Sequence, residues 1–171
     1  VGVNTIKAWA RTLPRGAVIL DIGCGPGSPR EAVLVEAGFA VHAIDASPSL
    51  LREFSNRFPN AKVLCEAVEE SSFFGKTFDA VFAWGLIFLL PPETQCAVIH
   101  SVSNVLKSGG RFLFTAPTQT DTWNDLSTGR TSFSLGEQAY RSIMASARLT
   151  LVNEYVDEGE NHYYDATKQY L

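Results

Sequence analysis

Apolar runs of four to eight residues recur along the chain, and between them apolar residues return every three or four positions, the pattern of strands alternating with helices. Asn4 to Leu13 carries Ile6, Trp9 and Leu13 at helical spacing, and Pro14 stops it. Ala17 to Ile22 is apolar except for Asp21, as expected of a strand covered on both faces. Ser28-Pro29-Arg30-Glu31 then opens a helix with capping-box spacing, the Ser hydroxyl and Glu carboxylate satisfying orphan amides, and this helix ends at Gly38. Val41 to Asp45 reads as the next strand, and Ser47-Pro48 caps a helix reaching Phe58. Lys62 to Glu66 and Phe78 to Trp84 are further strands. A helix from Pro92 to Leu106 is expected to close at Lys107-Ser108-Gly109-Gly110, glycine supplying a left-handed exit before the strand Arg111 to Thr115.

The last third changes character. Pro117 to Ser132 is polar and turn-rich, which predicts a long loop of the kind associated with function. Ser134 and Glu137 have capping-box spacing and predict a helix through Ala147. Leu149 to Val156 and His162 to Gln169 read as two strands joined by a turn over Asp157 to Asn161, which adds an antiparallel member to an otherwise parallel sheet. Alternation along the last strand predicts that one of Tyr163 and Tyr164 is more buried than the other. The fold class is therefore α/β.

Composition bounds the function. A chain of 171 residues, 46% hydrophobic and 19% charged, is expected to form one domain over residues 1–171 with a core needing neither metal nor disulfide. Its three cysteines are widely spaced without a CxxC pair, so no metal site is expected and a reducing, cytoplasmic location is. A net charge of −4 argues against a nucleic-acid partner, because phosphate binding draws on Lys and Arg. No apolar run approaches the roughly 20 residues needed to cross a bilayer, so no membrane partner is expected. The first residue is Val rather than Met, which leaves the native start open upstream.

Asp21-Ile22-Gly23-Cys24-Gly25-Pro26-Gly27 sits where a strand turns into a helix, and glycines there let main-chain amides approach a phosphate or carboxylate. A dinucleotide fingerprint needs GxGxxG, but Ser28 takes the third position. Asp45 follows Asp21 by 24 residues and ends the next strand, where a carboxylate can accept both ribose hydroxyls of a nucleoside or, alternatively, cap the following helix.

The segment VILDIGCGPGSPREAVLVEAGFAVHAIDASPSLL resembles the first two motifs of class I S-adenosylmethionine-dependent methyltransferases. FDAVFAWGLIFLLP and VLKSGGRFLFTAP resemble that family's fourth strand and the strand after the next helix, so the likeness runs from about Asn4 to the end. It implies a Rossmann-like three-layer sandwich, with a seven-stranded, mostly parallel sheet and an antiparallel last strand. It also implies S-adenosylmethionine as cofactor and S-adenosylhomocysteine as product. Carried over, Asp21, Gly23, Cys24, Gly25 and Gly27 surround the methionine part, and Asp45 holds the ribose. Ala46, Ser47 and Leu50 lie beside the adenosine, and Glu66, Ala67 and Val68 beside the adenine. Ala83, Trp84 and Gly85 occupy the strand-four exit facing the cofactor amino group and the substrate.

Trp84-Gly85-Leu86 stands where nucleic-acid amino methyltransferases carry Asn or Asp before Pro-Pro, which directs the expectation to a small-molecule acceptor. Trp84 reads equally as core, and Cys24 as small turn filler rather than a nucleophile. The catalytic residues are not identified by the sequence. His162, Tyr163 and Trp123 are the candidates, with Asp125 and Arg130 placed in a loop able to cover a substrate. Two alternatives stand beside methyl transfer: a methyltransferase-like domain that binds the cofactor without turnover, and an NAD-dependent oxidoreductase. The acceptor and the oligomeric state are left open.

Overall fold

The computed structural model describes residues 1–170, so Leu171, the last residue of the expected domain, lies outside them. Five strands and four helices come first: α1 (Val3–Ala10), β1 (Val18–Ile22), α2 (Pro29–Glu36), β2 (Ala40–Asp45), α3 (Pro48–Arg57), β3 (Lys62–Cys65), β4 (Phe78–Ala83), then α4 (Pro92–Val105) and β5 (Leu106–Thr115). A hairpin of β6 (Thr120–Asn124) and β7 (Thr131–Leu135) precedes α5 (Glu137–Ser146), β8 (Leu149–Val156) and β9 (His162–Lys168).

The main sheet has seven strands in the order β3-β2-β1-β4-β5-β9-β8. β1 to β5 pair in parallel, while β9 runs antiparallel to both β5 and β8. The Rossmann-like sandwich with its antiparallel last strand is thus present. Strand alternation divides the core between two layers. Leu20, Ile22, Phe112, Phe114 and Tyr164 pack with Val98, Ile99, Tyr140 and Met144 of α4 and α5. Ile19, Ala43, Phe82, Leu113 and Tyr163 pack with Ile6 and Trp9 of α1, Leu34 of α2 and Phe54 of α3. Helices on both faces explain why Tyr163 and Tyr164, although they alternate, are each fully buried, contrary to the expectation that one would be more exposed. Among the described residues no helix is long and apolar enough to cross a membrane.

Four local expectations are corrected. α1 ends at Ala10 rather than Leu13, where the Thr12 hydroxyl donates to the Trp9 carbonyl at 2.7 Å and bends the chain into a turn, though Leu13 remains buried. α4 has no glycine exit: Leu106 is already extended (φ −80°, ψ 137°), and Gly109-Gly110 lie within β5. There the ladder to β4 slips between Phe78↔Leu106 and Ala80↔Arg111, and a Cβ on Gly110 would stand 2.8 Å from the Lys107 carbonyl oxygen. The expected loop over Pro117 to Ser132 contains the β6–β7 hairpin instead. Finally, Ser134 belongs to β7, where its hydroxyl donates to the Pro117 carbonyl at 2.9 Å, and the N-cap of α5 is Gly136 without a side-chain cap.

Candidate functional site

The capping box at Ser28 and Glu31 forms as expected, with the Ser28 side chain accepting from the Arg30 amide and Glu31 accepting from the Ser28 amide at 2.6 Å. It fixes the far end of the glycine turn. At the near end the Gly23 and Cys24 amides both donate to the Ile44 carbonyl, at 2.8 and 3.1 Å. The expectation that turn amides reach out to a ligand is therefore corrected at these two residues, whose N–H groups tie the turn to β2. The glycines act instead by what they lack. Gly25 has φ +58°, and a Cβ there would meet no atom within 4 Å, so the turn presents open surface.

Asp45, at the end of β2, completes the turn. Its Oδ2 accepts from the Gly25 amide at 2.8 Å and its Oδ1 from the Ser47 amide at 2.8 Å. Each carboxylate oxygen keeps a second lone pair, so the carboxylate is held in one orientation while still able to accept two hydroxyl groups. Capping of α3 falls to Ser47, whose hydroxyl accepts from the Leu50 amide at 3.4 Å.

Around Asp45 a cleft of ≈ 600 Å³ is lined by Gly23, Gly25, Ala46, Ser47, Leu50, Glu66, Ala67, Val68 and Gly85, together with Ile44, Leu86, Leu89, Leu90, Thr128 and Arg130. That volume lies within the range of nucleoside-sized ligand sites. Glu66 turns its carboxylate to the Ser72 amide at 2.8 Å, which, with hydroxyl contacts from Ser71 and Ser72, holds its pKa below the usual value. The segment after β3 is thereby folded over the cleft wall.

The remaining expected cofactor residues sit behind this surface. Asp21 is buried, its Oδ2 lacking a partner among the described residues, and burial together with the nearby Glu31 and Asp45 carboxylates raises its pKa well above the ordinary range. Burial and the Asp21, Asp45 and Glu31 charges also push the Cys24 thiol up, which leaves it un-ionised and suits turn filler. Gly27 packs on α3, where a Cβ would stand 2.7 Å from the Phe58 ring. Ala83 is buried in the core.

Trp84 is both core and wall. Its ring carries the Arg30 guanidinium 3.6 Å above the centroid, and it lines a second compartment of ≈ 210 Å³ with Gly85, Phe88, Leu89, Thr115, Asp125, Ser127, Thr128 and Asn161. Gly85, Leu89 and Thr128 border both spaces, so the compartment adjoins the cleft. The Thr115 hydroxyl accepts from the Gly85 amide at 2.8 Å and fixes the strand-four exit.

The three catalytic candidates are all committed elsewhere. His162 Nε2 lies 3.0 Å from Glu154 Oε1 and packs edge-on against Tyr164. Tyr163 is buried, its hydroxyl donating to Asp157 at 2.7 Å, and burial with the adjacent Asp157 carboxylate raises its pKa. The Trp123 ring lies 5.6 Å from that of Phe88, tilted by 39°, and is not among the residues lining the compartment. Sequence reasoning missed Phe88, Thr115, Thr128 and Asn161. The hairpin tip was the hardest to foresee, since β7 buries Ser132 and Ser134 and inverts the usual hydropathy pattern.

The chain belongs to the methyltransferase domain family, whose sequence model matches residues 19–110, from β1 into β5. A sarcosine/dimethylglycine N-methyltransferase of Aphanothece halophytica is 32% identical over 126 residues, 69% of this chain and 43% of that protein. A ubiquinone biosynthesis O-methyltransferase of Xanthomonas axonopodis pv. citri is 30% identical over 122 residues, 65% of this chain and 47% of that protein. The chain thus spans about half the length of these relatives. Among solved structures, a 1,6-didemethyltoxoflavin-N1-methyltransferase of Burkholderia thailandensis, with its namesake ligand and S-adenosylhomocysteine bound, superposes with a TM-score of 0.81 at 20% identity, covering 99% of this chain and 79% of that one. A magnesium protoporphyrin IX methyltransferase of Synechocystis PCC 6803 with S-adenosylmethionine bound gives 0.77 at 18% identity, covering 98% and 78%. At these identities the likeness establishes the fold.

Proposed function

We propose that residues 1–171 form one S-adenosylmethionine-dependent methyltransferase domain acting on a small-molecule acceptor, with the cofactor in the cleft around Asp45. The carrying observation is Asp45 itself, held by the Gly25 and Ser47 amides at the mouth of a ≈ 600 Å³ cleft beside open Gly25. Asp45 would hold the ribose. Ala46, Ser47 and Leu50 would flank the adenosine, Ala67 and Val68 the adenine, and Gly23, Gly25 and Gly85 the amino-acid end. Arg130, which lines the same cleft from the hairpin, would offer its charge to the cofactor carboxylate.

When bound, S-adenosylmethionine supplies a methyl group activated on a sulfonium. The chain's part is alignment rather than proton transfer, since neither His162 nor Tyr163 lines the cleft or the adjoining compartment. The sarcosine and dimethylglycine in the name of one relative support this substrate class. Three unpaired cysteines fit a reducing, cytoplasmic location, and the net charge of −4 fits an acceptor other than nucleic acid. Calorimetry tests the reading directly. S-adenosylhomocysteine should bind and NAD should not, and the reverse result would sink it.

A further inference from the structure

The compartment bordered by Trp84, Phe88, Thr115, Asp125 and Asn161 has a charge and hydrogen-bonding character of its own. Asp125 is the one ionisable residue among its lining residues, and no Lys, Arg or His borders it. The Asp125 Oδ1 takes the Ser127 amide at 3.0 Å, the Thr128 amide at 2.8 Å and the Thr128 hydroxyl at 2.9 Å. Among the described residues Oδ2 has no partner. These bonds from Thr128 and Ser127 hold the carboxyl below its usual range, so it is ionised at neutral pH.

Asn161 adds a second acceptor. Its Nδ2 donates to both oxygens of Asp157, at 3.0 and 3.1 Å, and its amide also donates to Asp157 Oδ1 at 3.0 Å. That orientation commits the NH₂ group and leaves the side-chain carbonyl oxygen without a protein partner among the described residues. Trp84 and Phe88 supply aromatic walls, and one face of Trp84 already carries the Arg30 guanidinium, which shows that this ring accepts a cation. A carboxylate, a carbonyl oxygen and two aromatic rings in a space of ≈ 210 Å³ select for a small ligand that donates hydrogen bonds and carries positive charge.

We propose that this compartment is a binding site for a small amine, with Asp125 as counter-charge, Asn161 Oδ1 as hydrogen-bond acceptor, and Trp84 and Phe88 as walls. It rests on the reading above only in naming the acceptor side of the same site. Anionic acceptors are selected against, since Asp125 would repel them where no basic side chain lines the space. Of the two nearby cations, Arg130 lines the larger cleft, and Arg30 lies over the Trp84 ring without lining the compartment.

The test is an NMR titration with three molecules of one shape and different charge: benzylamine, benzyl alcohol and benzoate. It is run with and without saturating S-adenosylhomocysteine, following the Trp84 indole and Asn161 side-chain N–H signals. Benzylamine should bind about tenfold tighter than benzoate or more, a ratio a single partly screened charge can supply. Asp125→Asn keeps the Oδ1 acceptor that holds the hairpin turn and should bring the ratio near one. Phe88→Ala should weaken all three ligands. Equal binding of benzoate, an unchanged preference in Asp125→Asn, or shifts confined to other signals would each overturn the proposal. Failure to bind S-adenosylhomocysteine would overturn the cofactor reading instead, and the amine series on the free protein would still decide this one.

Discussion

Trp84, just past β4, and Tyr163 of β9 are joined by a 3.0 Å hydrogen bond from the indole Nε1 to the tyrosine hydroxyl. The hydroxyl donates a hydrogen bond to Asp157 Oδ2 at 2.7 Å, and Asp157 in turn accepts from the Gly159 and Asn161 amides of the β8–β9 turn. A wall residue at the end of β4 is thus locked to a hairpin at the sheet edge. Tyr163→Phe leaves the ring packed but strips the indole N–H of its partner. It should cost ~1–3 kcal/mol, the penalty for unsatisfied buried polar groups. Urea unfolding followed by tryptophan emission reads it, and an unchanged midpoint would show that the bond contributes nothing.

Gly25 and Gly27 separate ligand binding from folding. Both have positive φ, +58° and +78°, so alanine at either position carries a backbone cost of ~1 kcal/mol. The space differs: a methyl at Gly25 meets nothing, whereas at Gly27 it would lie 2.7 Å from Phe58 and 3.2 Å from Phe54. Gly25→Ala should lose S-adenosylhomocysteine affinity by tenfold or more with only that modest loss of stability. Gly27→Ala should unfold first, with a penalty of ~2–4 kcal/mol from backbone strain plus overpacking. Calorimetry beside thermal melts distinguishes them, and equal effects of the two variants on stability would refute the distinction.

Those glycines and Asp45 were legible because each acts through short-range geometry: a turn, a strand end, a capping box four residues long. The alternating sheet was legible for a similar reason, since β1 and β4 are covered on both faces and read as near-continuous apolar runs. The hairpin over the site was not. β7 turns Ser132 and Ser134 inward, and Gln95 of α4, fully buried, reaches the Phe133 carbonyl with Nε2 at 2.8 Å while accepting from the Tyr140 hydroxyl at 2.8 Å. Such a polar anchor satisfies main-chain groups across 38 residues of sequence, a relationship that hydropathy periodicity does not carry. Thr128 and Arg130 reach the cleft only through it.

Asp157 gives a pH dependence of known sign. Burial pushes its carboxyl up, but hydrogen bonds from Tyr163, Asn161 and Gly159 outweigh that and hold it below the ordinary value. A depressed folded pKa contributes stability that is fully present above the unfolded value of about 3.9 and is lost as pH falls through the folded one. The stability gap between the native protein and Asp157→Asn should therefore be constant near neutrality and close below about pH 4. Urea midpoints of the two proteins from pH 7 down to 3 measure it. A gap that stays constant to the bottom of that range would remove Asp157 as a titrating contributor.

The buried pair of Arg111 and Asp165 behaves in the opposite sense. Asp165 is fully buried between β5 and β8. It accepts from Arg111 Nε at 3.0 Å, from Arg111 Nη2, and from Trp9 Nε1 at 3.2 Å. Burial raises its pKa, and the Arg111 guanidinium only partly reverses this. Arg111→Met should cost ~3–5 kcal/mol at neutral pH, because it leaves a carboxylate in a dry site without its counter-charge. The Arg111→Met, Asp165→Leu double variant should recover most of that loss, since no isolated charge remains. A raised folded pKa also means that stability is regained as acid protonates the group, so the single variant should be less impaired at pH 5 than at pH 8. Denaturant melts of the three proteins at both pH values decide the matter: additive losses, or a penalty independent of pH, would show that Asp165 is not held as an ion by Arg111.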